Sequence, residues 1–198
     1  MKRVATICPF LLFLSLPLMG QGNGGPAAAV SGPAVEASFG YAYVSLAGPS
    51  SQRIGLNGGD ASGLIKFDRL WGATLDVTYA RAADALGTRH SDTLVSGLVG
   101  PVFYLMQSRK TSVFARALVG MSWINGAVPV SATSYYGGWE DRFSYAAGAG
   151  VQRSLSGPWA VRATGDYLRT TFVNATGATQ GQNDLRVTAS LVYRFGAR

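Results

Sequence analysis

The segment Asp184–Phe195 puts Leu185, Val187, Ala189, Leu191, Tyr193 and Phe195 at alternate positions, with Arg186, Thr188, Ser190 and Arg194 between them. Successive side chains of a strand point to opposite faces, so one face is greasy and the other carries two guanidinium groups. The greasy face ends in two aromatics. A soluble sheet has room for one such strand. A closed sheet that buries its polar face and greases its outside must repeat the pattern on every strand, and the repeat is the constraint to look for.

It recurs. Eight strands are expected. The first, Val35–Leu46, sets Val35, Ala37, Phe39, Tyr41 and Tyr43 against Glu36, Ser38, Gly40 and Ala42. A short second, Ala61–Phe67, sets Ile65 and Phe67 against Ser62 and Lys66, with the Gly-rich run before it as an extension. The third, Trp71–Arg81, sets Ala73, Leu75, Val77 and Tyr79 against Thr74, Asp76 and Thr78. The fourth, Asp92–Tyr104, is apolar on both faces and leaves its orientation open. Ser112–Ile124, Arg142–Ser154 and Trp159–Phe172 follow, carrying Arg116, Gln152, Arg162 and Asp166 on their polar faces. Tilted strands of about ten residues span a bilayer. The expected links alternate in length: Ala47–Asp60, Ala82–Ser91, Asn125–Asp141 and Val173–Asn183 are long, whereas 68–70, 106–110 and 156–158 are short. Short turns at one end and long loops at the other characterise an all-β, eight-stranded, antiparallel up-and-down transmembrane β-barrel. A lipocalin-type soluble barrel reverses the faces, with apolar side chains inside and arginines outside.

Composition agrees with export. Of 198 residues, 14% are charged and 26 are Gly. Residues 1–20 read as a signal peptide: Lys2 and Arg3 precede an apolar run from Ile7 to Leu18, and cleavage falls between Gly20 and Ala29. Pro9 and Pro17 break that run, which disfavours a transmembrane helix. Residues 21–34 form a flexible Gly/Ala/Pro-rich segment and 35–196 the barrel. Cys8 lies in the signal, so thiolate metal sites and cysteine catalysis are excluded. The net charge of +7 is spread one or two arginines per strand and never clustered, which argues against nucleic acid.

Several stretches resemble outer membrane protein A-like eight-stranded barrels. They are Phe39-Gly-Tyr-Ala-Tyr43, Gly72-Ala-Thr-Leu-Asp76, Phe114-Ala-Arg-Ala-Leu-Val-Gly120, Val161-Arg-Ala-Thr-Gly-Asp-Tyr-Leu-Arg-Thr170, Asn183-Asp-Leu-Arg186 and Tyr193-Arg-Phe-Gly196. The resemblance implies an integral outer-membrane protein with both termini periplasmic. Outer-membrane lipid surrounds it, and the closing aromatics Tyr193 and Phe195 are the signal read by the barrel-assembly machinery. That signal usually ends on Phe, whereas Gly196-Ala-Arg198 follows here. Two-domain members continue into a peptidoglycan-binding domain. The sequence stops at Arg198, so that activity is not expected.

Taking the polar face as inward gives a lumen charge network of Glu36, Lys66, Asp76, Arg116, Arg162, Asp166, Arg186 and Arg194. Side chains fill so narrow a barrel, and buried charges must be paired. Arg194 is expected at the rim, and the other seven are expected to run as a ladder of ion pairs along the axis. The ladder either plugs the barrel or lines a narrow anion-favouring path. His90 is followed directly by Ser91, and adjacent strand residues face opposite sides, so a hydrolase triad is not expected. A barrel-type lipid-modifying enzyme is therefore the weakest alternative. No catalytic residue, cofactor or metal is expected. Tyr135, Tyr136 and Trp139 fall in the third outer loop, as an aromatic girdle or as contacts to an extracellular partner. The expected function is structural or interactive: membrane integrity or adhesion through surface loops, by a monomer.

Overall fold

The computed structural model describes residues 34–47, 53–83, 91–129, 135–173 and 179–195, with the side chains of 127–129, 135–137, 171–173 and 179–180 excluded. Eight strands form one closed antiparallel barrel in sequence order. They are β1 (Ala34–Ala47), β2 (Arg53–Lys66), β3 (Trp71–Ala82), β4 (Asp92–Gln107), β5 (Thr111–Pro129), β6 (Tyr135–Ser154), β7 (Trp159–Val173) and β8 (Thr179–Phe195). β1 pairs with β8 from Val35↔Phe195 to Ser45↔Leu185, so the sheet keeps no open edge.

The alternation in the sequence is the alternation in the structure. On β1, Phe39, Tyr41 and Tyr43 face outward and stay exposed, while Glu36, Ser38, Ala42 and Val44 are buried inside. On β7, Val161 and Tyr167 are exposed while Arg162, Thr164 and Asp166 are buried. An outward band of Phe39, Leu75, Val77, Val99, Val119, Val151, Val161, Leu185 and Val187 girdles the middle of the barrel. That much contiguous exposed apolar surface is unsuited to water and suited to hydrocarbon. A soluble lipocalin-type barrel, greasy inside and charged outside, does not fit it.

The two ends differ. At the turn end, tight connections join β2–β3, β4–β5 and β6–β7. Asp68 Oδ1 accepts hydrogen bonds from the Leu70 and Trp71 amides at 2.6 and 2.7 Å, and the Ser108 amide donates to the Thr111 carbonyl at 2.8 Å. Ala34 and Phe195 lie at this same end. Outward aromatics ring it, with Trp71 on Phe103 at 4.8 Å between centroids, Trp159 on Tyr193 at 5.0 Å and Tyr193 on Phe195 at 5.0 Å. At the opposite, hairpin end the strands overrun, most of all β5 and β6, which stay paired out to Pro129↔Tyr135.

Two expectations need correction. The second strand is no short segment: β2 begins at Arg53, and the stretch expected as the loop Ala47–Asp60 is mostly ladder. The Gly-rich run before Ala61 does extend the strand, although Gly, Asn and Asp are depleted in strands. Gly58 is there for a steric reason. A Cβ on it would sit 1.8 Å from the Tyr79 carbonyl oxygen, so the strands approach too closely for any side chain. The expected third outer loop, Asn125–Asp141, is for the most part the continuing β5–β6 hairpin. Tyr135, Tyr136 and Trp139 therefore belong to β6, and the long-and-short alternation lies in hairpin height more than in loop length. The undecided face of β4 is settled: Leu94, Ser96, Leu98, Val102 and Tyr104 point inward, and Val99 and Pro101 outward.

Candidate functional site: a packed lumen

Midway along the barrel, two arginines and two aspartates from four strands close a ring. Arg116 on β5 donates from Nε and Nη2 to the two carboxylate oxygens of Asp166 on β7, at 2.8 and 2.6 Å, a bidentate pair. Its Nη1 reaches Asp76 Oδ2 on β3 at 3.0 Å, and its Nη2 also reaches Thr164 Oγ1 at 3.0 Å. Arg186 on β8 completes the ring through Asp166 Oδ2 at 3.0 Å, Asp76 Oδ1 at 2.5 Å and Thr78 Oγ1 at 2.8 Å. Arg186 Nη2 lies 2.9 Å from Asp166 Oδ2 without hydrogen-bond alignment. All four side chains are buried, Arg186 and Asp76 completely.

Isolated buried ions cost several kcal/mol each, and only good geometry with further hydrogen bonds offsets that cost. Here charge cancels within the ring, and Thr164 and Thr78 each accept one further guanidinium bond. Gly148 on β6 makes space for it. A Cβ there would lie 2.2 Å from Asp166 Oδ1 and 2.3 Å from the Gly165 carbonyl, so the missing side chain is filled by the aspartate opposite.

A second cluster lies nearer the turn end. Arg162 Nη2 reaches Glu36 Oε2 at 2.5 Å, and its Nε and Nη2 reach Gln152 Oε1 at 2.8 and 2.6 Å. The Gln152 amide donates back to both Glu36 oxygens at 3.1 and 3.2 Å, closing a triad across β1, β6 and β7. Its apolar neighbours are Leu64, Val102, Tyr104 and Phe114, with the Arg162 guanidinium 5.7 Å from the Phe114 ring centroid.

Six of the eight lumen candidates thus fall into two closed assemblies, in place of one ladder. Asp76, Arg116, Asp166 and Arg186 make the ring; Glu36 and Arg162 make the triad with Gln152. Lys66 joins neither. Its ammonium lies 3.9 Å from the Tyr104 ring centroid and 3.4 Å from Gln107 Oε1. Arg194 sits at the rim and clamps the β6–β7 turn, through Ser154 Oγ and the Gly157 carbonyl, both at 3.0 Å. The residue reasoning missed is Asp60, buried and held by Thr78 Oγ1 at 3.2 Å and Ser190 Oγ at 3.5 Å. It was hidden inside the stretch mistaken for loop. Asp184 was missed too. Its two oxygens accept from the Ala47 amide at 2.8 Å and from Thr170 Oγ1 at 3.1 Å, an acid spent on tying β8 to β1 and β7.

Toward the hairpin end the inward face turns apolar. Val44, Leu46, Leu56, Ala80, Leu94, Leu98, Leu118, Ala146 and Leu168 form one buried cluster, with Ile54 and Ile124 packed against it. Reading every lumen position as polar therefore holds for only part of the barrel. Level with this collar, Trp123 and Phe143 stand exposed on the outer face of the β5–β6 hairpin, and Trp139 stands exposed just beyond it. The side chains of Tyr135 and Tyr136 lie outside the described residues, as does His90.

The outer face brings the comparison with known structures to a decision. An apolar band between two aromatic belts encloses a packed, ion-paired interior. The architecture is that of the eight-stranded outer-membrane barrels. Three solved structures show it. Ail, the attachment invasion locus protein of Yersinia pestis, superposes with a TM-score of 0.60 at 17% identity, over 83% of this chain and 99% of Ail. Neisserial surface protein A gives 0.62 at 13% identity, over 83% and 98%. OprG from Pseudomonas aeruginosa gives 0.54 at 11%, over 84% and 97%. Ail has also been crystallised in complex with the heparin analogue sucrose octasulfate. At these identities the shared property is the fold. No protein-family model matches the sequence, and no curated protein matches it.

Proposed function

We propose that this chain is an integral outer-membrane barrel of structural or interaction type, closed to solutes and without enzymatic activity. In this reading both termini face the periplasm and the overrunning hairpins face the cell exterior. One observation carries it: the lumen is blocked twice in series. The arginine–aspartate ring fills the middle, and the collar of Val44, Leu56, Leu94, Leu118 and Leu168, each at most 1% exposed, fills the hairpin-end half. A narrow solute path would have to part both. The barrel then acts through its surfaces, as an anchor that strengthens the membrane and holds the β5–β6 hairpin outside. The outward stack of Trp159, Tyr193 and Phe195 on the closing strands is the surface offered to the barrel-assembly machinery.

An attachment role resting on the exposed Trp123, Trp139 and Phe143 is the second reading. The length of the β5–β6 ladder and the naming of Ail as an attachment protein favour it. Membrane fractionation followed by electrophoresis with and without heating tests the base of both. The protein is expected in the outer-membrane fraction with a heat-dependent band shift. Recovery in the soluble periplasm without a shift refutes the proposal.

A further inference from the structure

On β1, β2, β3, β7 and β8, every carboxylate among the described residues is buried in the lumen: Glu36, Asp60, Asp76, Asp166 and Asp184. The arginines at the hairpin end of these strands point the other way. Arg53, Arg81 and Arg169 are exposed on the outer face. Arg81 and Arg169 each stand one outward position beyond a tyrosine, Tyr79 and Tyr167. An arginine on the lipid face costs about 2–4 kcal/mol at the bilayer midplane and roughly 0–1 near the interface. Their place just past the tyrosine belt is therefore headgroup level.

Each of two of these arginines faces an asparagine across the ladder. Asn57 pairs with Arg81 and Asn183 with Arg169. In both cases a tyrosine hydroxyl donates to the amide oxygen: Tyr41 to Asn57 Oδ1, and Tyr167 to Asn183 Oδ1 at 2.6 Å. With the oxygen so engaged, the amide presents its NH2 donors beside a guanidinium that has only donors. The result is two like units, each a tyrosine-braced asparagine next to an arginine, separated by β1. Asn57 stands opposite Tyr43 on β1 and Asn183 lies two residues beyond the Ser45↔Leu185 pair, so the units are offset along the strands as well as across β1 and are about 16 Å apart at the usual spacings. Arg53 bridges the gap, its Nη1 3.2 Å from the Asn183 carbonyl and 3.3 Å from that of Ser45. Gly181 lets the Arg169 guanidinium lie over β8, since a Cβ there would be 2.9 Å from Nη2.

We infer that the seam β7–β8–β1–β2–β3 binds a phosphorylated glycolipid of the outer leaflet, one phosphate on Asn57/Arg81, a second on Asn183/Arg169, and Arg53 between them. Donor-only groups without an outward carboxylate among the described residues select an anion, and guanidinium groups suit phosphate oxygens. Membrane depth selects a lipid over a soluble anion, and duplication selects two phosphates over one. The inference rests on the outer-membrane reading above.

The test is native mass spectrometry of the full chain in detergent, with lipid A, a disaccharide lipid bearing two phosphates, as the probe. Its one-phosphate form and phosphatidylglycerol serve as comparisons. The expected result is retention of the two-phosphate lipid at least tenfold above either comparison. That preference should be lost in the triple variant Arg53→Gln/Arg81→Gln/Arg169→Gln and kept in Arg153→Gln, an outward arginine at the turn end. Asn57→Asp with Asn183→Asp, which replaces donors by acceptors, should lose it even if the triple variant does not fold. Equal retention of all three lipids overturns the inference, as does a preference that survives in the variants or falls equally in Arg153→Gln. Displacement by inorganic phosphate or sucrose octasulfate at the lipid's own concentration also overturns it, in favour of a soluble-anion or sulfated-saccharide surface. A barrel that still inserts and shows its heat-dependent band while failing these arms loses only this inference. One that does not insert loses the outer-membrane reading as well.

Discussion

The middle of the lumen and its hairpin-end half are equally buried and are packed by opposite means. In the middle, Asp76, Arg116, Asp166 and Arg186 are held by directional bonds from four strands, and each group has one position it can occupy. Beyond it, Leu56, Leu94, Leu118 and Leu168 are held by contact alone. The ionic ring is the less forgiving of the two. Removing one partner leaves an uncompensated buried charge, whereas shortening a leucine leaves a hole that neighbours partly fill. The ring also fixes strand register, because a one-residue slip of β7 or β8 turns Asp166 or Arg186 out toward lipid. The collar, held by contact, tolerates rearrangement.

The largest expected effect comes from breaking the ring at its hub. Asp166→Ala leaves Arg116 and Arg186 with only one of their two shared carboxylates, Asp76, and so with an uncompensated buried charge, and should cost about 3–5 kcal/mol or prevent folding, read as the urea midpoint of refolding in detergent. Replacing Asp76, Arg116, Asp166 and Arg186 together by apolar residues of similar volume should recover much of that loss. If the combined variant is as unstable as the single one, the four side chains do not act as one ring. Next comes the collar, where Leu94→Ala or Leu118→Ala should cost about 2–4 kcal/mol in the same measurement without abolishing the folded band. A collar variant that costs more than Asp166→Ala reverses the comparison. Smallest is the rim: Arg194→Gln, whose partners are a serine and backbone carbonyls near solvent, should move the midpoint by about 1 kcal/mol or less. Equal midpoints for Arg116→Gln, Arg162→Gln and Arg194→Gln contradict the division into paired interior and solvated rim.

The sequence shows this organisation where side-chain alternation is clean. β1, β3, β7 and β8 announce their faces, so Glu36, Asp76, Asp166 and Arg186 are readable as inward. It falls silent where the alternation is suspended. Asn57-Gly-Gly-Asp60 falls within the expected polar link because nothing in a single chain reveals that the Tyr79 carbonyl fills the place of a side chain. The collar is hidden for a related reason. On β4, apolar residues on both faces serve packing on one side and lipid on the other, and only the register with β3 and β5 tells them apart. Which arginine meets which aspartate depends on barrel closure, a property of all eight strands at once.

The central claim is that the lumen is shut by these two layers. Its direct test is single-channel recording in planar bilayers, on protein whose insertion is verified by the heat-dependent band. No current steps above the membrane baseline are expected for the parent chain. Stable anion-favouring steps that are reduced in Arg116→Gln or Arg162→Gln would show a path through the ring and contradict the claim.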